Sequence, residues 1–549
     1  MWPDFLSRRR RRRANFRARG DAARDARDWP AAAAAYRRHL KAVPDDGAIW
    51  VQCGHALKEA GDLRGAIKAY RRAVAIPESA AEGLFQLGLA LRTAGRPRDS
   101  RQALSQALRL EPRFDIYREL ADEVAPIPLA LPASGQSVLA LDVTDLLGFL
   151  IAHGFVTGIQ RVQLGLIAAI LRSETPPTDR FDAIVFCFAE FGRPWRLRTE
   201  DLLALLRYVE ARTVDLSTAR RLVDRAKIHS LGAAWGPGSA YLVLGAFWAG
   251  GGLAPLQQGL QSAGVAFGVL IHDLFPITAP QLSEEGAVAS FESRLRAGLA
   301  GWDFIVANSA ATARDVGDYI ARHAARAAIP VIATPLAHDF TTAAEAPTAP
   351  TAELPAGLEG QRFVLCVGTI EPRKNHRFLI EAWTTLAQRH ANLPELVIAG
   401  RPGWRSESLV SELKRGALPK VRWLEDMSDA QLDGLYRRCL FTVLPSLAEG
   451  WGLPIGESLV HGKVCVTSGT SAMPEVGGRF AVYIDPLDVR SLEAALETLI
   501  YDADALPARE AEIRAAFRPR TWSDVASSLI AGVGAATRAE ARPESGHER

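Results

Sequence analysis

Apolar positions recur along this chain in two different rhythms. Over the first 120 residues the period is 34: Gly20, Gly54 and Gly88 share a phase, as do Phe16, Trp50 and Leu84, then Ala23, Leu57 and Leu91. Ala32, Ala66 and Ser100 keep the same spacing, followed by Tyr36, Tyr70 and Leu104; Pro44, Pro77 and Pro112 close the units with a one-residue wobble. Such self-similarity predicts stacked helix pairs, each burying a face that one unit cannot bury alone. Beyond residue 136 the rhythm changes to short apolar runs separated by helical stripes. Ser137–Val143, Ala183–Phe188, Tyr241–Gly245, Val265–Ile271 and Asp303–Ala307 predict one set of buried strands. Phe363–Gly368, Glu395–Gly400, Leu440–Pro445, Val464–Thr467 and Ala481–Ile484 predict a second. Gly158–Arg172 carries Ile159, Val162, Leu166 and Ile170 on one stripe and predicts a helix after the first strand. Two strand–helix alternations imply an α/β fold of two Rossmann-like domains, with a cleft at the carboxyl ends of their strands.

The repeat columns (bulky, Gly, Leu, Ala, Tyr, Pro) resemble the tetratricopeptide repeat, an all-α helix-turn-helix unit whose small residues let paired helices approach. The chain then divides into a basic tail at 1–13, repeats at 14–120 and a Pro-bearing linker at 121–135. An amino-terminal Rossmann-like domain at 136–340 and an Ala/Pro/Thr linker at 341–358 follow. A carboxy-terminal Rossmann-like domain at 359–520 and a terminal helix and tail at 521–549 complete it. A length of 549 residues suits two to four domains, and 48% hydrophobic against 23% charged residues excludes wholesale disorder. The net charge of +3 hides a split: residues 1–120 hold 25 Lys and Arg against 14 acids, leaving the rest of the chain at −8. An acidic body gives no reason to expect a nucleic-acid partner. Five scattered Cys without a CxxC pair suit small buried hydrophobes in a reducing compartment. The charged stretch after Arg8–Arg13, with no apolar run following it, gives no reason to expect a secretory signal. Leu231–Ile271, free of charge but broken by ten Gly, reads as buried core and not as a membrane span, so a cytoplasmic protein is expected.

Two segments carry candidate chemistry. In FVLCVGTIEPRKNH (363–376) a strand ends at Gly368 and a loop follows with Arg373 and Lys374. Two cations at a strand end suit a diphosphate, which they neutralise when bound and stabilise as it leaves; a solvated charge pair is the plainer alternative. In LPSLAEGWGLPIGESL (444–459) Glu449 and Glu457 lie eight apart, and Gly450, Gly452 and Pro454 prevent one helix from spanning both. Pro454 suits the first turn of a helix, which puts Glu449 on the preceding loop and Glu457 in that first turn, where it also complements the helix dipole. The glycines admit close backbone approach to hydroxyls or phosphate oxygens. Asn308-Ser309 reads as a helix cap, and Gly250 to Gly252 as a flexible loop in preference to a phosphate site.

The strand, E-P-R-K and the E-x7-E inside PSxxEGWGLPxxE together resemble retaining glycosyltransferases of family 4, which have the two-domain GT-B fold. The resemblance continues through LDVTDL (141–146), TGIQRV (157–162), IHDLFPI (271–277), VANSAATARDV (306–316), TSGTSAMPEVGG (467–478) and YIDPLD (483–488), covering residues 136–520 in consistent order. It is nearest to the bacterial subgroup that builds O-antigen and similar surface polysaccharides, often as mannosyltransferases. The resemblance implies that Arg373 and Lys374 grip the diphosphate and that Glu457 bonds the ribose hydroxyls. Glu449 would lie against the donor sugar, with the amides of Gly450, Trp451 and Gly452 on its hydroxyls. Gly158 and Gly368 would approach the donor, and His272 and Asp273 would face the sugar or the acceptor. Many members carry Gly-Arg where this chain has Gly368-Thr369, so Arg373 must supply that cation.

The expected activity is transfer of a hexose, mannose favoured, from a GDP or UDP sugar to a glycan or lipid-linked acceptor, with retention. No cofactor and no metal are expected, since no DxD motif sits suitably and basic residues replace it. A sugar-nucleotide epimerase of the same fold, or a repeat scaffold with a decayed transferase half, are the alternatives. The repeats suit a partner protein or self-association, and Arg8–Arg13 a peripheral contact with the anionic inner face of a bacterial membrane.

Overall fold

The computed structural model describes residues 16–110, 119–120, 136–173, 180–190, 192–211, 215–233, 235–249, 253–283, 285–323, 329–338, 354–355 and 357–538. The expected basic tail with Arg8–Arg13, the 121–135 linker, Gly250 to Gly252, nearly all of the 341–358 linker and the final eleven residues lie outside them.

The repeats are paired helices. A helix at 16–25 precedes Trp29–Ala42, then come Gly47–Glu59 with Leu63–Val74, and Ala80–Thr93 with Pro97–Leu110. The conserved spacing within this chain has a steric cause. A Cβ on Gly20 would lie 2.4 Å from the Tyr36 ring, one on Gly54 2.3 Å from the Tyr70 ring, and one on Gly88 2.6 Å from Leu104. Each glycine is thus the socket for the large residue sixteen positions later, and those three side chains are fully buried. Asp28, Asp46 and Asp62 cap the helices that follow them, accepting from the N–H groups of Ala31, Ile49 and Gly65 at 3.1, 3.2 and 2.8 Å.

The α/β region holds two sheets. The first comprises β1 (Val138–Asp142), β2 (Ala183–Glu190), β3 (Arg193–Arg196), β4 (Leu231–Gly232), β5 (Ala240–Val243), β6 (Ala266–Ile271), β7 (Phe304–Ala307) and β8 (Val331–Ala333), in the order β4-β3-β2-β1-β5-β6-β7-β8. All its pairings are parallel except those of β3, which runs antiparallel to both neighbours. The second comprises β9 (Phe363–Val367), β10 (Glu395–Ala399), β11 (Val421–Leu424), β12 (Thr442–Leu444), β13 (Cys465–Ser468) and β14 (Val482–Ile484), all parallel, in the order β11-β10-β9-β12-β13-β14. This is the doubly wound order, with its switch point between β9 and β12.

All ten sequence-predicted strands are present, within about two residues at each end. The four that the pattern missed are β3, β4, β8 and β11. Three of them are sheet edges and β3 adjoins one. There a strand needs no unbroken apolar run: β3 carries two Arg and a Pro, and β11 carries Arg422.

The terminal helix Trp522–Arg538 belongs structurally to the first sheet's domain. It packs on the helix Gly158–Arg172 and on β7 and β8. A Cβ on Gly165 would lie 2.3 Å from the Trp522 ring, and one on Gly532 2.5 Å from Ile332. Where the chain returns, Arg520 N–H donates to His338 Nδ1 at 2.8 Å and His338 N–H to Arg520 O at 3.0 Å. All five Cys are buried and unpaired. No described helix is long and apolar enough to cross a membrane.

Candidate functional site

The switch point of the second sheet brings two loops together. After β9 the chain passes Gly368, makes a tight turn at Pro372–Lys374, and enters the helix His376–Arg389 through Asn375, whose φ is +58°. After β12 it runs through Ser446 to Glu449. The backbones are stitched by Leu447 N–H donating to Arg373 O at 2.8 Å. The side chains then form one cluster. Arg373 Nη1 donates to Glu449 Oε2 at 2.6 Å and to Ala448 O at 2.9 Å, while its Nη2 donates to Glu371 Oε1 at 2.7 Å. Lys374 Nζ reaches Glu449 Oε1 at 2.5 Å, and Ser446 Oγ donates to the same oxygen at 2.7 Å.

Glu449 is only 6% exposed. Burial opposes its ionisation, yet Arg373 and Lys374 hold the carboxyl down at about 2. Burial likewise opposes the charge on Arg373, but Glu449, Glu371 and Asp273 raise its pKa above the usual guanidinium range. Arg373 and Glu449 are therefore both charged at neutral pH, paired in a site that excludes most water. This is no solvated surface pair.

The facing wall comes from the amino-terminal domain. His272, just past β6, is buried, and its Nε2 lies 2.9 Å from Leu244 O. A carbonyl oxygen only accepts, so that nitrogen carries the proton; burial also lowers the ring's pKa, so the imidazole is neutral. Asp273 beside it is pushed up by burial, against the pull of Arg373. The Arg373 guanidinium stands over the Phe275 ring at 5.3 Å, and Arg401, after β10, stands over Phe155 at 4.0 Å.

The glycine-rich loop fits between these walls. A Cβ on Gly450 would fall 2.0 Å from His272 O and 3.2 Å from the Asp273 Cβ, so close backbone approach requires glycine there. Buried Trp451 donates its indole N–H to Ala337 O at 3.1 Å, again across to the amino-terminal domain. Gly452, at φ +102°, is the cap from which the helix Leu453–Val460 starts. That start corrects one expectation: Glu457 is the helix's fifth residue and lies in its second turn, not its first. There, buried, it accepts from Tyr436 Oη at 2.6 Å. Gly158 opens the second helix after β1, beyond the intervening helix Thr144–His153, behind a Thr157–Gln160 capping box, and a Cβ on it would meet nothing within 4 Å. Gly368 lies against the Lys374 stem, which a Cβ would approach to 3.6 Å.

The structure thus assembles Arg373, Lys374 and Glu449 directly, sets His272 and Asp273 opposite them, and leaves Glu457 one helical turn further in. Glu371, Ser446 and Glu475 escaped the sequence reading. Glu371 and Ser446 lie within the motifs that drew attention to their neighbours. Glu475 is the one charged residue between Lys463 and Arg479, a signal the sequence offered. Among the described residues, no group of three or more His, Cys, Asp and Glu could hold a metal ion.

Comparison with known proteins bears on both parts of the chain. Residues 17–84 and 85–122 match the tetratricopeptide repeat. An O-antigen chain mannosyltransferase B of Escherichia coli is 34% identical over 146 residues, 26% of this chain and 38% of that protein. The serotype-specific mannosyltransferase WbdA of Escherichia coli is 26% identical over 263 residues, 46% of this chain and 32% of that protein. An MMP alpha-(1->4)-mannosyltransferase of Mycolicibacterium hassiacum is 29% identical over 180 residues, 32% of this chain and 43% of that protein. The chain therefore spans less than half the length of each of these three relatives. The segment from Arg373 to Glu457 lies inside residues 355–517, which match the family of glycosyl transferases group 1.

Proposed function

We propose that this chain is a glycosyltransferase that moves a hexose, mannose favoured, from a nucleoside-diphosphate sugar to a glycan or lipid-linked acceptor. The observation that carries the reading is the Arg373–Lys374–Glu449 cluster at the switch point of the second sheet, inside the segment matching glycosyl transferases group 1. A doubly wound sheet binds nucleotides at that place. Mannose is favoured because relatives similar over parts of the chain are named as mannosyltransferases.

In this reading the diphosphate lies on Arg373 and Lys374, which Glu449 pairs and orients. As the bond between the sugar's anomeric carbon and the diphosphate oxygen breaks, negative charge grows on that oxygen and the two cations stabilise it. The acceptor hydroxyl forms the new bond on the same face and passes its proton to the departing diphosphate, so configuration is retained and no side chain need act as base. Neutral His272 and Asp273 border the sugar. No cofactor is assigned; leaving-group stabilisation falls to the side chains. Docking to a protein partner or self-association through the repeats, and a cytoplasmic site with peripheral contact to anionic lipid through Arg8–Arg13, go with the proposal.

The test is incubation with labelled GDP-mannose, UDP-glucose, UDP-galactose and UDP-N-acetylglucosamine, with and without lipid-linked oligosaccharide acceptors. Transfer from one donor, mannose first, is expected. Isomerisation without transfer would indicate an epimerase, and consumption of none a scaffold.

A further inference from the structure

Glu475 sits in the short helix Met473–Gly477 after β13, and its carboxylate crosses to the other domain. Oε2 accepts from Ala310 N–H at 2.8 Å and Oε1 from Ala311 N–H at 2.6 Å. These two amides open the 14-residue helix Ala310–His323, which follows β7. Ser309, the residue the sequence marks as its cap, is occupied one position on: its Oγ accepts from Thr312 N–H at 3.0 Å and lies 2.9 Å from Thr312 Oγ1. The first two amides of the helix are thus satisfied from outside the domain, by a carboxylate that also meets the positive end of the helix dipole.

Both ends of this contact lead into the site. On its own side, Ser471 Oγ accepts from Glu449 N–H at 2.9 Å, Ala472 N–H reaches Glu449 O at 3.4 Å, and Thr470 Oγ1 donates to Leu447 O at 3.1 Å. The 470–475 segment therefore holds the backbone of the residue that pairs Arg373 and Lys374. On the far side, Asn308 N–H donates to Ile271 O at 3.3 Å, and Ile271 immediately precedes His272. A continuous path runs from Glu449 through Glu475 to the wall that faces Glu449.

We propose that Glu475 is a positioning residue: a carboxylate latch that fixes the His272–Asp273 wall relative to the Arg373–Lys374–Glu449 cluster. Its kinetic consequence rests on the transferase reading above; the latch does not. Glutamine keeps one acceptor but turns an N–H₂ toward an amide donor, so Glu475→Gln half-opens the latch and Glu475→Ala opens it.

The full chain and both variants are compared by amide hydrogen exchange, GDP affinity and steady-state transfer. Glu512→Ala, which removes a largely exposed pair with Arg479, serves as control. Glu475→Ala is expected to exchange at least tenfold faster at 306–316 and measurably faster at 268–277. It should lose about tenfold in kcat with GDP affinity within twofold of the parent, and Glu475→Gln should fall between. Unchanged exchange at 306–316 overturns the latch. Faster exchange confined to 306–316, with 268–277 as protected as in the parent, overturns the positioning role and leaves a plain helix cap. A parent chain that transfers no sugar defeats the transferase reading alone, because the two exchange measurements decide the latch without it.

Discussion

Gly450→Ala isolates how closely the two walls of the site must meet. The backbone at Gly450 is not in the left-handed region, so alanine brings no dihedral penalty; its effect is the methyl group. That methyl would lie 2.0 Å from His272 O, where ordinary contact begins near 3.4 Å. One wall must therefore retreat by about 1.4 Å, and neither is a flexible side-chain tip: the obstacle is the His272 carbonyl, on a residue anchored to Leu244. A misplacement of about 1 Å in a reacting geometry costs on the order of 100-fold, equivalent to about 2.7 kcal/mol of barrier. We expect kcat to fall by about that factor while GDP affinity stays within threefold, because the side-chain hydrogen bonds of Arg373 and Lys374 go to Glu449, Ala448 and Glu371 on their own side. Steady-state transfer and isothermal titration with GDP measure the two quantities, and thermal unfolding confirms a folded chain. Gly259→Ala is the matched control: its methyl enters open space and should leave the fold and transfer untouched. Transfer by Gly450→Ala within threefold of the parent would refute the argument that the walls must close on a glycine.

Lys374→Ala should lower kcat by roughly 10²-fold in the folded chain, the scale of losing one preorganised donor to a leaving oxygen, and should also lower the unfolding midpoint because buried Glu449 loses one of its two cations; unchanged transfer would remove the lysine from the diphosphate site. Glu449 is depressed to about 2 in the fold, so its stabilisation is complete above its unfolded pKa, near 4.5, and disappears as pH falls toward 2. His376, kept neutral near pKa 4 by burial and by Lys374, makes the fold lose stability earlier, as pH falls from about 6.5 toward 4. Denaturant unfolding from pH 7 to 3 should show both windows, and Glu449→Gln should flatten only the lower one. Trp522→Ala should cost about 3–5 kcal/mol in denaturant unfolding, as a buried ring is lost from its seat on Gly165.

What the sequence disclosed depended on how local the cause was. Central strands such as Val138–Asp142 are buried at every position, so an unbroken apolar run betrays them. Edge strands such as Val421–Leu424 have no such constraint and were invisible. The sockets at Gly20, Gly54 and Gly88 were visible as a spacing, but that each receives the large side chain sixteen residues on needed the packed helices. In the site, Arg373, Lys374 and Glu449 stood out as motifs, whereas their pairing spans 75 or more residues. The bond from Glu475 to Ala310 spans 165, beyond any periodicity. Glu457 was placed a turn early because the helix start is set by Gly452's dihedral, which a sequence does not print.

The return of Trp522–Arg538 to the first domain sets rules for recombination. The half built on the second sheet is bounded by two junctions, one near 341–358 and one near 518–521, and His338 and Arg520 stand hydrogen-bonded where the chain goes out and comes back. A chimera that exchanged everything after residue 358 would import a foreign helix onto Gly165 and Ile332, and its first domain would inherit a mismatched surface. In the transferase reading, donor specificity is therefore expected to transplant only as an insert, with the last helix kept from the host. In shuffling experiments, residues 522–538 should segregate with the amino-terminal domain.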